Sequence, residues 1–506
     1  MAASEEAALE VAAETPAWVR KLTSRPSATA LLCLLAAFYY GREALSPAFA
    51  ENTRISEHAL MPGIVNPQFS GEVLILRFLA QLQGLKDPSA VPAFIQSELE
   101  AQGVEAATHY WTNHGLFKNE SGQNVVGVVR AHRSTGAEAV ALLVPINHKD
   151  AVAMAMALAS HARGKSYWSR DVFFVFVDGG AVGADAWAAE YHGGGPVPRG
   201  GFLVGALVLE TPSFLARTDV IHILVTGMNG HLPNLDLFNT VARISHRGRN
   251  LLQVMIYPED AEHFRSHPPS IPFRFLLTQG LVGVEGLHSV MGKYGVQCLT
   301  VRAPSSLSTR DGTGRADHLV EETLRALNNL HERFHQSYFL YILVSPNHFS
   351  SVAFFFPIVG LLIVPLVVCG VGEWQAVPPG GVSLPTGFPL LLLIGVSLKM
   401  AILPLVRRSS LDEDSTIGLL LVVLSLPLGL FISVWASSID ISSFEWGIRV
   451  AAPSRLRSSL SLLLYEDYSL GSWQLGLLVA CAIPAWNALV ALASSIDEEK
   501  EKEKIE

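Results

Sequence analysis

Side chains able to do chemistry are few and scattered in this chain. Five of them lie at or near the ends of apolar runs: His148, Asp150, Asp178, Glu210 and His288. Imidazoles and carboxylates hold divalent metals or carry protons, but a lone one at a strand end is more often solvated or hydrogen-bonded. No nucleophile elbow, phosphate-cradling glycine loop or Cys/His nucleophile pair accompanies them. The run Gly193-Gly194-Gly195-Pro196 reads as a plain loop. A second set belongs to apolar stretches. Pro484 removes a backbone hydrogen bond and frees a carbonyl that must face protein, water or a headgroup. Asn487, one turn on, places an amide that usually faces another helix. His335, Gln336 and Tyr338 precede an apolar stretch, where they could bond a polar headgroup or simply anchor the chain at an interface. Lys399 is a cation inside an apolar stretch near Arg407, placed there by snorkelling or by a lipid phosphate or partner acid.

The elements that position these residues follow from composition. Half of the 506 residues are hydrophobic and 16% are charged, against about 25% charged in a soluble chain. Mean hydropathy is +0.33. The net charge of −9, with no basic stripe, excludes a nucleic-acid binder on bulk electrostatics. A membrane protein with one large water-soluble portion is expected. Four stretches are long and apolar enough to span a bilayer: 349–372, 385–406, 416–439 and 468–496. Together they make a transmembrane bundle over 348–496. Residues 26–48 follow the basic flank Arg20, Lys21 and Arg25 and read as a retained anchor rather than a cleaved signal ending at Ala48-Phe49-Ala50. That leaves 1–25 as a cytosolic tail, 49–347 as one translocated lumenal block and 497–506 as a charged tail. The tail ends in a Lys-x-Lys-x-x pattern resembling retrieval signals; a cytosolic tail would need a further, atypical span within 440–467.

Within the lumenal block, strand-like and helix-like runs alternate. Glu138 to Pro145 is strand and Lys149 to Ala162 helix. Asp171 to Val177 is a continuous apolar strand, Gly183 to His192 a helix, and Leu203 to Leu209 and Val220 to Val225 strands. Asn234 to Ile244 is helix again, and Ala316 to Val344 reads as an amphipathic helical run into the 349 span. Repeated β-α-β order predicts an α/β domain with a mostly parallel sheet flanked by helices. Cys33, Cys369 and Cys481 fall in apolar spans, leaving Cys298 alone in the lumenal block, in a strand. A disulfide-stapled module is excluded, and a buried inert thiol is expected rather than a bridge to a partner. Asn119-Glu120-Ser121 is an N-glycosylation sequon, with Asn119 the acceptor.

This order, with Val177-Asp178-Gly179-Gly180-Ala181-Val182-Gly183-Ala184 after a buried strand, resembles the domain of co-catalytic zinc aminopeptidases. The resemblance implies a His, a bridging Asp, a Glu-Glu pair, a further acid and a second His, for which His148, Asp150, Asp178, Glu210 and His288 are the degenerate counterparts. Where those enzymes carry Glu-Glu, this chain has Asp178-Gly179, and Lys149 sits near the bridging position, where a cation opposes a metal. The expectation is a peptidase scaffold without a metal, cofactor or catalytic residues.

Three further stretches carry a second resemblance. They are Thr226-Gly227-Met228-Asn229-Gly230-His231-Leu232-Pro233-Asn234-Leu235-Asp236-Leu237, His331 through Tyr341, and Ile483-Pro484-Ala485-Trp486-Asn487. With the N-terminal anchor, they resemble the glycosylphosphatidylinositol (GPI) anchor attachment protein family, the large membrane subunit of GPI transamidase. The resemblance implies a non-catalytic, multi-pass subunit of the endoplasmic reticulum membrane. Its partners would be the other transamidase subunits, including a cysteine-protease-like catalytic one, and GPI itself, with the last span recognising the lipid. Pro484, Asn487, His335, Gln336, Tyr338 and Lys399 are then the candidate GPI contacts. The rival expectation is a membrane-tethered lumenal zinc aminopeptidase. A transporter is disfavoured, because the spans show no paired repeat halves.

Overall fold

The computed structural model describes residues 26–44, 46, 50–64, 68–114, 119–210, 220–247, 252–256, 286–303 and 316–358, with 272, 275, 279, 360, 361 and 364. The chain divides into two compact units, Ala44–Val352 and the segments on either side of it. Outside the described residues lie the expected spans 385–406, 416–439 and 468–496, residues 359, 362–363 and 365–372 of the expected 349–372 span, both tails, and Lys399, Pro484 and Asn487. Helix α1 (Pro26–Ala44) covers most of the expected anchor and exposes Leu31, Leu32, Leu35, Phe38 and Tyr39. Among the described residues, no helix is long and apolar enough to cross a membrane.

The unit Ala44–Val352 is built on an eight-stranded sheet. Its strands are β2 (Glu105–His114), β3 (Asn119–Val129), β4 (Glu138–Pro145), β5 (Asp171–Val177), β6 (Phe202–Glu210), β7 (Val220–Leu224), β8 (Gln253–Met255) and β9 (Gln297–Arg302), in the order β2-β3-β5-β4-β6-β9-β7-β8. The middle four, β5, β4, β6 and β9, run parallel. The β2–β3 hairpin joins β5 antiparallel, and β7 joins β9 antiparallel. The sheet is therefore mixed, with a parallel centre, rather than mostly parallel throughout. Every residue of β5 is buried, as is all of β4 after its first residue, which in a strand requires cover on both faces.

Two consecutive crossovers supply helices for that cover. Helix α4 (Lys149–Arg163) links β4 to β5 and is made of Ala, Met and Leu, good helix formers; Ala151 to Ala159 are all buried, so small residues let it press against the sheet and against α2 (Glu72–Gly84). Helix α5 (Gly180–Gly193) links β5 to β6. Helix α3 (Ala90–Ala101) packs on the β2–β3 hairpin. Two further helices, α6 (Leu235–Ser245) and the short α7 (His288–Met291), precede α8 (Ala316–Asn328).

A three-stranded antiparallel sheet closes the unit, β1 (Glu51–Asn52) and β10 (Tyr341–Ser345) flanking β11 (His348–Ser351). It corrects two expectations. The helical run expected over 316–344 stops at Asn328, and its end forms β10. The first residues of the expected 349–372 span belong to β11, helix resuming at 352–358. The apolar Tyr341 to Val344 are buried by pairing in this sheet, a tertiary contact that local periodicity does not report.

Candidate functional site

The parallel strands all end on one edge of the sheet, where open α/β sheets bind ligands. His148 follows β4 and precedes α4, Asp178 follows β5, Glu210 ends β6 and Arg302 ends β9. Strands β6 and β9 pair in register, Glu210 opposite Arg302. The Arg302 guanidinium donates through Nε (3.0 Å) and Nη2 (2.7 Å), both to Glu210 Oε2. Glu210 is buried, so this charge-assisted pair neutralises the carboxylate where it stands.

Burial disfavours the charged form of both imidazoles around this pair. His288 is buried in α7 and shares a 2.7 Å hydrogen bond between Nδ1 and Thr300 Oγ1. Burial pushes its pKa down to about 3, and the Arg302 charge pushes the same way, against the Thr226 backbone. His148 is also lowered, first by burial; Glu210 and Asp150 oppose the shift and Arg302 adds to it. Gly286 (φ +81°) lets the chain pass close to this group: a Cβ there would stand 3.1 Å from Glu210 Oε1 and 3.3 Å from His288 Nδ1.

Asp178 belongs to a different network. Its backbone N–H donates to Asn124 Oδ1 (2.8 Å), and its Oδ2 accepts from the Gln123 N–H (3.1 Å). Asn124 Nδ2 donates to the Gly183 carbonyl (2.8 Å), so one β3 amide clamps the whole turn between β5 and α5. Gly179 in that turn is left-handed (φ +74°), and a Cβ on it would meet the Trp111 ring at 2.3 Å. A glutamate at 179 therefore does not fit: backbone conformation and the buried indole both refuse a side chain. Asp150 sits in the first turn of α4.

The structure thus gathers His148, Glu210 and His288 around Arg302, and ties Asp178 separately to β3. Among the described residues, no three metal-ligating side chains cluster. The residues present do not fit a metal, because the buried acid is already paired with a guanidinium, whose fixed positive charge opposes a cation beside it. Lys149 is corrected as well. Its ammonium donates to the Leu82 carbonyl (2.8 Å) in the last turn of α2, where a cation complements the helix dipole. The opposing cation at the acid is Arg302. A cavity of about 320 Å³ adjoins His288, with His231, Cys298, Phe339 and Leu340 in its wall. The Cys298 thiol is buried, which drives its pKa up.

The stretches 226–237 and 331–341 meet through buried carboxylates. Asp236 Oδ2 accepts the amides of Ser56 (2.9 Å) and Glu57 (2.7 Å). Glu57 Oε1 in turn accepts the amides of His335 and Gln336, each at 3.0 Å. Leu235 N–H donates to the Tyr338 carbonyl, and Tyr341 OH to the Pro233 carbonyl, each at 2.9 Å. Burial raises the Asp236 pKa, opposed by the amides it accepts. The His335 ring is exposed; its Nδ1 donates to the Arg333 carbonyl and lies 3.2 Å from Glu57, and the carbonyl first, then Glu57 and Glu332, raise its pKa. Tyr338 is half-exposed and packs on Phe349. Asn119 opens β3, opposite His114.

Trp111, Arg302 and Glu57 escape the sequence reading. Only the register of β6 on β9 brings Arg302 to Glu210, from 92 positions away.

A family model described as Gaa1-like, GPI transamidase component, matches residues 121–379. The GPI transamidase component gaa1 of Schizosaccharomyces pombe is 28% identical over 349 residues, covering 64% of this chain and 60% of its own length. GAA1 of Saccharomyces cerevisiae is 26% identical over 389 residues, covering 73% of this chain and 61% of its own. The chain thus spans less than two thirds of these curated relatives. Among solved structures, the LapA aminopeptidase of Legionella pneumophila aligns with 55% of this chain and 75% of its own, at 12% identity and a TM-score of 0.34.

Proposed function

The chain belongs to the Gaa1-like, GPI transamidase component family, and from that premise we propose that it is a non-catalytic subunit of the GPI transamidase of the endoplasmic reticulum membrane. It binds GPI and presents the lipid for attachment to the C-terminus of precursor proteins. The bond-making step belongs to a partner subunit of the cysteine-protease type, and this chain contributes position. Holding a bulky glycolipid so that its amine meets an acyl-enzyme on a neighbour replaces a bimolecular encounter by an oriented one, worth about 7–11 kcal/mol at the limit.

The observation that carries this reading is the filled strand-end crevice. Arg302 neutralises Glu210, and Trp111 occupies the space a side chain at 179 would need. A water-activating centre requires an available carboxylate and a general base; here one acid is spent and the other position is glycine. The candidate lipid contacts are His335, Gln336 and Tyr338 at the end of the lumenal unit, with Lys399, Pro484 and Asn487 in the apolar C-terminal region. In support, the Glu57 carboxylate fixes the 335–336 backbone while the His335 ring and Tyr338 remain open to solvent.

The test is affinity purification of the tagged full chain from detergent, with co-purifying subunits and GPI quantified. His335→Ala and Pro484→Ala are expected to lower GPI recovery while subunit recovery is kept. Undiminished GPI in both variants removes the site assignment, and absence of GPI from the wild-type complex removes the binding role.

A further inference from the structure

Against a net charge of −9, one cavity of the unit Ala44–Val352 has only basic residues among its ionisable lining. It has a volume of about 400 Å³, and its wall holds Arg54, Arg243, His246 and Arg247, with no carboxylate among its described lining residues. Three arginines in one wall concentrate positive charge, and an anion bound among them relieves their mutual repulsion. Arg247 is partly committed: its Nη1 donates to the Ile64 carbonyl (3.2 Å), and its charge is felt by Glu322. Arg243 stands in the last turn of α6, where a cation also suits the helix dipole. That accounts for one cation, not for the convergence of Arg54 from a different segment.

The cavity also has a second polar feature. Asn239 is buried at 4% exposure and lines it. Its Nδ2 donates to the Arg54 carbonyl (2.8 Å), fixing that segment, but its Oδ1 is buried without a hydrogen-bond donor. A buried acceptor left unmatched is costly unless a ligand or water supplies the donor. The ligand this wall suits carries a phosphate for the arginines, which match its oxygens in forked pairs. The volume lies within the range of about 300–1,000 Å³ typical of small-ligand sites.

The place in the chain indicates the source. Arg54 stands two residues after β1, and Asn347, also in the wall, directly precedes β11. The Thr53 N–H donates to the Asn347 carbonyl (2.9 Å), tying the two segments together. These are the segments through which the chain enters and leaves the unit, next to the apolar stretches 26–48 and 349–372. We propose that this basic cavity binds the phosphodiester of a membrane lipid whose headgroup carries net negative charge. The proposal rests on the membrane reading above, but not on any of the GPI contacts named there.

The experiment uses the purified full chain in detergent, with three probes: fluorescent phosphatidylinositol in mixed micelles, fluorescent phosphatidylcholine in the same micelles, and inorganic phosphate as competitor. Saturable binding of phosphatidylinositol, weak binding of phosphatidylcholine and no competition by phosphate at the same concentration are expected. The double variant Arg54→Gln/Arg243→Gln should bind about tenfold or more weakly, since it loses charge-assisted hydrogen bonds. Wild-type affinity should also fall as salt rises, a readout independent of whether the variant folds. Equal binding of the two lipids, unchanged affinity in a double variant that melts as wild type does, or salt-independent binding overturns the proposal. Competition by phosphate as effective as that of the lipid overturns the lipid source. GPI recovery, measured on the same preparations, separates the two readings: a wild-type complex that carries GPI but fails these arms leaves the GPI role intact and removes this site.

Discussion

Removing Arg302 isolates the physics of the strand-end crevice. The Glu210 side chain is 9% exposed and accepts two guanidinium hydrogen bonds, at 3.0 and 2.7 Å, while Arg302 is 31% exposed. Breaking a fully buried pair costs about 3–5 kcal/mol. Water that enters where the half-open guanidinium stood solvates part of the stranded charge, so Arg302→Met should cost about 2–3 kcal/mol, because a charge-assisted bond contributes about 1.5–3 kcal/mol. For the unit Ala44–Val352, at about 2.1 cal/mol/K of unfolding entropy per residue, that is a fall of about 3–5 °C in the thermal midpoint. The assay is tryptophan-monitored melting of the purified full chain, with and without chelator. The double variant Glu210→Gln/Arg302→Met removes both charges and should recover most of the loss, and chelator should leave the wild-type midpoint where it is. A single variant that melts as wild type does would refute the reasoning, and so would a wild-type midpoint that drops in chelator, because either means that something other than Arg302 holds the carboxylate.

Three further outcomes are expected. The folded His288 imidazole titrates near 3 and the unfolded one near 6.5, so below pH 6.5 the unfolded chain takes up a proton that the native one does not; this contribution is complete above that pH and is lost at about 1.4 kcal/mol per unit as pH falls toward 3, a slope that melting of His288→Gln against wild type at pH 7.5 and 5.5 should show to be reduced, and equal slopes would contradict it. Gly183→Ala places a Cβ 1.8 Å from the Asp178 carbonyl oxygen, a backbone clash that should cost about 3 kcal/mol or more, read by denaturant midpoint, with wild-type stability the contrary result. Glu57→Ala leaves the amides of His335 and Gln336 without their acceptor and should speed proteolysis at 331–341, and an unchanged cleavage pattern would show that the carboxylate does not hold that segment.

The parallel centre of the fold is legible in the sequence because each piece is locally consistent. The Val172 to Val177 run has the continuous hydrophobicity of a doubly covered strand, and the Ala/Met/Leu run of α4 has nothing to compete with helix. The β2–β3 hairpin is not legible: Thr108, His109, Tyr110 and Thr112 alternate with few aliphatic residues, and what makes them strand is pairing with β3. The segment 329–351 misleads because its apolar residues are buried by a small sheet whose third strand, β1, lies almost 300 positions earlier. The same division holds at the site. His148, Asp178 and Glu210 are found by their position after apolar runs, and the Asp178-Gly179 departure is visible at once. That Trp111 fills the space over Gly179, and that Arg302 rather than Lys149 answers Glu210, depends on strand register, which no local pattern encodes.

The most direct test of the central claim is the zinc content of the purified full chain after dialysis against metal-free buffer, measured by mass spectrometry. A crevice closed by Arg302 and Trp111 predicts zinc well below one ion per chain, unchanged by Glu210→Ala. One or two zinc ions per chain, lost in Glu210→Ala, would contradict it.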